Sequence, residues 1–123
     1  MTEPKILPPA LRSQKRYIAF EAISDQPIKY EDLAGAILGS ALGFLGELNA
    51  SEAKIWIIQN LYDAASQRGV VKCSHTYVEH MRAALSLITF AGESKAVVRI
   101  MGVTGTIKSA RLKYLSKGLE KFA

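Results

Sequence analysis

Two kinds of hydrophobic spacing alternate along this chain, and the order in which they do so limits its fold more than any other feature. Lys15 to Ser24 (KRYIAFEAIS) is short, aromatic and β-branched, and the Asp25, Gln26, Pro27 turn ends it, which predicts a first strand. Residues 30 to 48 predict a helix. Lys54 to Tyr62 (KIWIIQNLY) and Gly69 to Ser74 (GVVKCS) predict two strands joined by a polar turn, a hairpin. His75 to Phe90 puts Val78, Met81, Leu85 and Ile88 at helical spacing. Lys95 to Thr104 (KAVVRIMGVT) predicts a fourth strand, and Thr106 can cap a last helix that runs through Leu115. The order is βαββαβ followed by a helix.

With right-handed crossovers this order closes into an α+β fold, the ferredoxin-like split βαβ (RRM-like) antiparallel sheet with strand order 4-1-3-2 and an added C-terminal helix. At 123 residues with 49% apolar content the chain suffices for one core, so a basic, proline-containing arm over 1–14 is expected to precede a single domain over 15–123. A lone cysteine and the lack of a charged leader into an apolar core predict an intracellular, cytoplasmic protein. The most apolar stretch, Leu33 to Leu48, falls short of the ~20 residues of a membrane span and is expected to be a buried helix, not an anchor. Gly35, Gly39 and Gly43 recur on one face of it, as if a neighbouring backbone approached closely.

Charge adds a direction. Residues 1–16 sum to +3 and residues 105–123 to +4, while everything between sums to −2. In the predicted sheet the first strand runs antiparallel to the third and fourth, so its start neighbours their ends. Lys15, Arg16, Lys72, His75, Lys108 and Arg111 are therefore expected on one edge, joined by Lys54 and diluted by Glu47 and Glu52. Clustered cations neutralise phosphates and release counterions, so a polyanion such as nucleic acid is the first partner to consider. The last helix adds a stripe, Lys113, Lys117 and Lys121, opposite Leu112, Leu115, Leu119 and Phe122; it is equally the pattern of an ordinary solvated surface helix.

Several motifs stay open. GVTGTIK (Gly102 to Lys108) could hold a phosphate at a strand-to-helix junction, or its glycines could serve a tight turn with Thr106 as a plain cap; it lacks the spacing of a P-loop. Strand 3 supplies no aromatic ring, so only Tyr17 or Phe20 could stack a base as RNA-recognition sheets do. Ile55 to Ile58 is apolar on both faces, so something covers the sheet's open side; Trp56, Met101 and Val103 are candidates for a protein interface, with burial inside the monomer the alternative. Cys73, His75, Glu79 and His80 lack the spacing of a zinc site or a triad, so no catalytic residue and no protein-bound metal or cofactor is expected. His75 reads as a helix cap or a phosphate contact.

Three segments together carry a family resemblance: LPPALRSQKRYIAF (Leu7 to Phe20), KCSHTYVEHMRAALSLI (Lys72 to Ile88) and GVTGTIKSARLKYL (Gly102 to Leu115). In this order they resemble protein component 2 of archaeal ribonuclease P, a family with a eukaryotic counterpart. Where the family commonly has Arg before Cys-Ser-His this chain has Lys72, which keeps a cation and loses a bidentate fork. The resemblance implies a non-catalytic subunit of the endoribonuclease that removes the 5′ leader from precursor tRNA, with Mg²⁺ held by the RNA subunit that performs the hydrolysis. Implied partners are the ribonuclease P RNA, a TIM-barrel-like protein subunit and, through the complex, precursor tRNA. A homodimer or 2:2 heterotetramer is also implied, and a membrane is not. Arg12, Lys15, Arg16, Lys72, His75, Lys108, Arg111 and Lys113 are the expected RNA-binding residues. A competing reading is a ligand-sensing regulatory domain of the same fold that binds no RNA. An acylphosphatase would need an Arg-bearing phosphate loop where this chain has SDQPIK (Ser24 to Lys29), which argues against it.

Overall fold

A computed structural model describes residues 14–115. Strand β1 (Lys15–Ser24) lies at the centre of the sheet, because its alternating residues fit two apolar layers at once. Ile18, Phe20 and Ala22 point into the main core, while Tyr17, Ala19 and Glu21 face the other side. Helix α1 (Tyr30–Ala53) follows, then the two-residue strand β2 (Trp56–Ile57), β3 (Arg68–Ser74), helix α2 (Val78–Ser86), β4 (Phe90–Ala91) and β5 (Ser94–Thr104). A one-turn helix α3 (Ile107–Ala110) and a wider turn over Arg111–Leu115 complete the described chain.

The sheet has five strands in the order β2-β3-β1-β5-β4, which corrects the expected four-stranded order 4-1-3-2. The unforeseen element is β4, which pairs Phe90 with Lys95 and Ala91 with Ser94 across a turn at Gly92 and Glu93. Gly92 has φ 62°, and a Cβ there would strike the Asp32 carboxyl of α1, so the turn needs glycine twice over. Helical spacing had carried the second helix through to Phe90; it stops at Ser86. The predicted second strand shrinks to Trp56–Ile57 because Gln59–Leu61 turn into a 3-10 segment. Tyr30 Oη donates to Ile57 O at 2.8 Å and Tyr62 Oη to Ile28 O at 2.7 Å, which pins that segment across the start of α1.

Helix α1 buries one line of residues, Leu33, Ile37, Ala41 and Leu45, at four-residue spacing against the sheet. It breaks at Gly46 (φ 80°) and ends at Lys54 in the left-handed conformation. The expected close approach to its glycines is not there. Gly35, Gly39 and Gly43 face open space, with Leu38, Leu42 and Leu48 exposed on the same helix. Only 22% of its most apolar 18-residue window is buried, so the helix is a half-covered one and not the fully buried one expected. Ser40 Oγ ties α1 to α2 through Ala84 O.

On the far side of the sheet α3 and its following turn form a second, smaller layer. Ala19, Val70 and Ala110 are fully buried yet stand apart from the main core. Tyr114 sits over Gly102, where no Cβ could fit, and Arg68 Nη1 donates to Tyr114 O at 3.3 Å. Ala19 pairs with Gly102 and Phe20 with Ile100, so Met101 is the extra residue of a β-bulge.

Candidate nucleic-acid interface

The register fixes which residues share the edge. Lys15 pairs with Ser74, Arg16 with Cys73, and Tyr17 with both Lys72 on β3 and Thr104 on β5. The start of β1 thus meets the end of β3 and the end of β5, and the Gly105 to Lys108 junction leaves from the same place. His75 N–H donates to Gln14 O at 2.8 Å, and its ring Nδ1 lies 3.3 Å from the same oxygen, which holds the first turn after β3 against the start of β1. The structure brings Lys15, Arg16, Lys72, His75 and Lys108 together, with Arg111 and Lys113 on the turn that follows α3. Arg12, Lys117 and Lys121 lie outside the described residues, as does most of the arm.

Arg16 donates to two neutral acceptors, Lys15 O at 2.9 Å and Gln14 Oε1 at 3.3 Å. Among the described residues no ion pair engages Lys72, Lys108 or Lys113. Glu52 accepts from Tyr77 Oη at 2.9 Å and so clamps the end of α1 to the turn after β3. Thr106 Oγ1 accepts from Ser109 N–H at 3.1 Å, the cap expected of it. Thr104 Oγ1 donates to Thr106 O, so the hydroxyls of this junction are committed to the turn itself.

Two rows of paired residues cross the sheet at this end, one on each face. Ile57, Val71, Ile18 and Val103 form the inner row, packed in or against the core. Trp56, Lys72, Tyr17 and Thr104 form the outer row. Paired residues project to the same side, so the three proposed interface residues are not one surface. Val103 belongs to the inner row, Met101 to the half-buried bulge, and Trp56 stands three strands away on the edge strand β2, 63% exposed. Of the two candidate stacking rings, Phe20 is fully buried and only Tyr17 reaches the outer side.

A profile of the Rpp14/Pop5 family matches residues 16–115, the whole sheet with both helix layers. The chain belongs to the Rpp14/Pop5 family. It is similar to ribonuclease P protein component 2 of Thermococcus gammatolerans, with 42% identity over 94% of each chain. Against the protein of that name from Pyrococcus abyssi the identity is 43%, over 92% of this chain and 94% of the other. The relative from Methanosarcina barkeri is 39% identical over 90% of this chain and 79% of its own. Among solved structures, a chain of the yeast ribonuclease MRP cryo-EM structure shares the fold, with TM-score 0.61 at 13% identity, covering 89% of this chain and 92% of that one.

Beside the edge lies a group that sequence reasoning missed. Glu21, on the outer face of β1, accepts from Arg99 Nη2 at 3.0 Å and pairs with Arg68 Nε at 3.5 Å. The Arg99 hydrogen bond, helped by Arg68, holds the Glu21 carboxyl below its ordinary range against the opposing effect of partial burial. Arg68 in turn reaches Tyr114 O, so this cluster braces the covering turn. Its signal in the sequence was the single acidic residue within the otherwise apolar run Tyr17 to Ile23. Cys73, by contrast, faces the core, and burial pushes its thiol up to about 11 although Lys15 pulls the other way. A protonated, enclosed thiol is no nucleophile.

Proposed function

We propose that this chain is an RNA-binding protein subunit of ribonuclease P, which supports the RNA-catalysed removal of the 5′ leader from precursor tRNA through its cationic edge. One observation carries the reading: the pairing of Lys15 with Ser74 and of Tyr17 with both Lys72 and Thr104, which gathers cations remote in sequence at one end of the sheet. Phosphates of the catalytic RNA bound there favour its compact form and replace part of the Mg²⁺ it would otherwise require. In this reading the Mg²⁺ is held by the RNA subunit that performs the hydrolysis.

The second contact in this reading is a TIM-barrel-like protein subunit seated on α1. That helix carries Glu31, Asp32, Glu47 and Glu52 and no Lys or Arg, in a chain whose net charge is +5. An acidic, half-uncovered apolar helix repels RNA and, in a symmetric self-contact, would face its own charges; it suits an apolar surface with a basic rim. The leucines and glycines left open there allow another helix to pack closely, and a TIM barrel presents an outer ring of helices.

The test is precursor-tRNA cleavage by the reconstituted enzyme across a Mg²⁺ titration. Glutamine at Lys15, Arg16, Lys108 and Arg111 together should move the curve to higher Mg²⁺ without altering the cleavage site. A curve that does not move refutes the reading.

A further inference from the structure

The outer row at the cationic edge puts two aromatic rings either side of a lysine. Trp56 on β2 pairs with Lys72 on β3, and Lys72 pairs with Tyr17 on β1. With strands about 4.8 Å apart, the Trp56 and Tyr17 backbones are separated by about 10 Å, with the lysine stem as the floor between them. Trp56 is 63% exposed and Tyr17 half-buried. Neither ring stacks on another among the described residues, where the ring contacts are Tyr30 with Tyr62 and Tyr77 with His80. One step further along the sheet Ala19, Val70 and Gly102 lie beneath the turn that carries Tyr114. Within the row Thr104 is buried, while Trp56, Lys72 and Tyr17 keep exposed surface, and Lys15 is on the same face as Tyr17.

We propose that Trp56, Lys72 and Tyr17 form a seat for one unpaired nucleotide of the bound RNA. The base stacks on the indole and against the Tyr17 ring, and the Lys72 ammonium takes an adjoining phosphate. The site selects single-stranded over duplex RNA, because a paired base cannot expose its face to a side chain, and it tolerates any base, because every base has a stacking face. It reassigns Trp56 from the protein interface to RNA. The inference rests on the ribonuclease P reading but is separable from it, since cationic binding to RNA needs no stacking.

Trp56 is the only tryptophan in the chain, so its fluorescence reports on this seat alone. The full-length protein is titrated with a labelled single-stranded oligouridylate and with a duplex RNA of equal phosphate number, following RNA anisotropy and tryptophan emission together. The expected result is quenching by the single strand and none by the duplex. Trp56→Leu should weaken single-strand binding about tenfold or more and leave duplex binding within twofold, and Trp56→Phe should restore most of the loss. Circular dichroism confirms that the variants fold, as an exposed position predicts. Single-strand binding with unchanged emission and no effect of Trp56→Leu overturns the seat while leaving the cationic edge standing. Binding of neither RNA overturns both. If Trp56→Leu weakens only the complex with a protein subunit, the residue belongs to that interface and the seat is refuted.

Discussion

Removing four charges from the edge makes a quantitative test of the RNA-binding reading. Lys15, Arg16, Lys72 and Lys108 lie at this end of the sheet, and glutamine at all four deletes the cations while keeping polar, flexible side chains. Each phosphate contact to a single strand contributes about 0.7 to the slope of log affinity against log salt, so losing four flattens the slope by about 3. Between 50 and 200 mM salt the wild type should then lose about 50-fold more affinity than the variant. A two-charge control, Lys29→Gln with Lys95→Gln, sits at the other end of β1, where Ser24 pairs with Ala96. Ten strand residues put that end about 30 Å away, three Debye lengths at 0.1 M salt, so its slope should stay close to that of the wild type. The assay is fluorescence anisotropy with a labelled single-stranded oligouridylate at a series of salt concentrations. A quadruple variant with the wild-type slope, or a control that flattens as much, refutes the localisation of binding to this edge.

Other perturbations probe the fold and the remaining surfaces. A methyl at Gly69 would meet Phe20 Cζ at 2.8 Å and Tyr62 Cδ1 at 3.2 Å, both on rings held in place, so Gly69→Ala should cost about 1–3 kcal/mol. Calorimetry should show melting lowered by roughly 4 °C per kcal/mol, and an unchanged midpoint would mean the rings move freely. Glu21→Gln should cost about 1 kcal/mol near neutral pH, as expected of a partly exposed charge cluster. Because the folded carboxyl is held below its unfolded value of 4.5, its contribution is complete above that value and disappears as pH falls through the lower folded one. Urea titrations of wild type and variant should therefore converge in acid, and a gap that widens there would contradict the assignment. Cys73 should resist iodoacetamide at pH 7.5 until the chain unfolds, whereas prompt alkylation of the native protein would show the thiol to be accessible. Leu42→Glu, on the open face of α1, should weaken binding of the TIM-barrel-like subunit by at least tenfold in isothermal titration with RNA affinity unchanged; equal affinity would move that partner elsewhere.

The three long strands were legible because each is a run of seven or more residues carrying β-branched or aromatic side chains, and the cationic edge followed from them by antiparallel pairing. Short elements were not. Phe90–Ala91 spans two residues, too few to show a period, and Ile88 continues the helical spacing to its doorstep; the glycine at position 92 was the available sign of a turn. Residues 54–62 read as a strand by composition, yet the hydroxyls of Tyr30 and Tyr62 take backbone carbonyls at Ile57 and Ile28, a tertiary contact that no local pattern announces. The glycines of α1 invited the inference of a close neighbour, and spacing cannot tell a packed stripe from an uncovered one. Register is the sharpest example. One residue of slip between β2 and β3 would send Trp56 to the core and Ile57 to the outer face, so the aromatic row exists only once the pairing is known.

The covering turn decides how RNA can use this sheet. An RNA-recognition sheet offers its central strands to several bases, but here Ala19 and Val70 are capped by Ala110 and Tyr114, and the Glu21 cluster ties Arg68 to that cap. The centre is closed by packing, so the proposed binding falls on the strip at the start of β1, where cations and one exposed ring coincide. The opposite helix layer has the reverse character, acidic and aliphatic. In the proposed reading a single small domain thereby presents two surfaces that select different partners by electrostatic sign: a cationic edge for RNA, and an acidic α1 whose open leucines suit a protein. Reversing Glu31 and Glu47 to lysine would blur that distinction, and the expected consequence is RNA bound in an additional, salt-sensitive mode with no gain in cleavage.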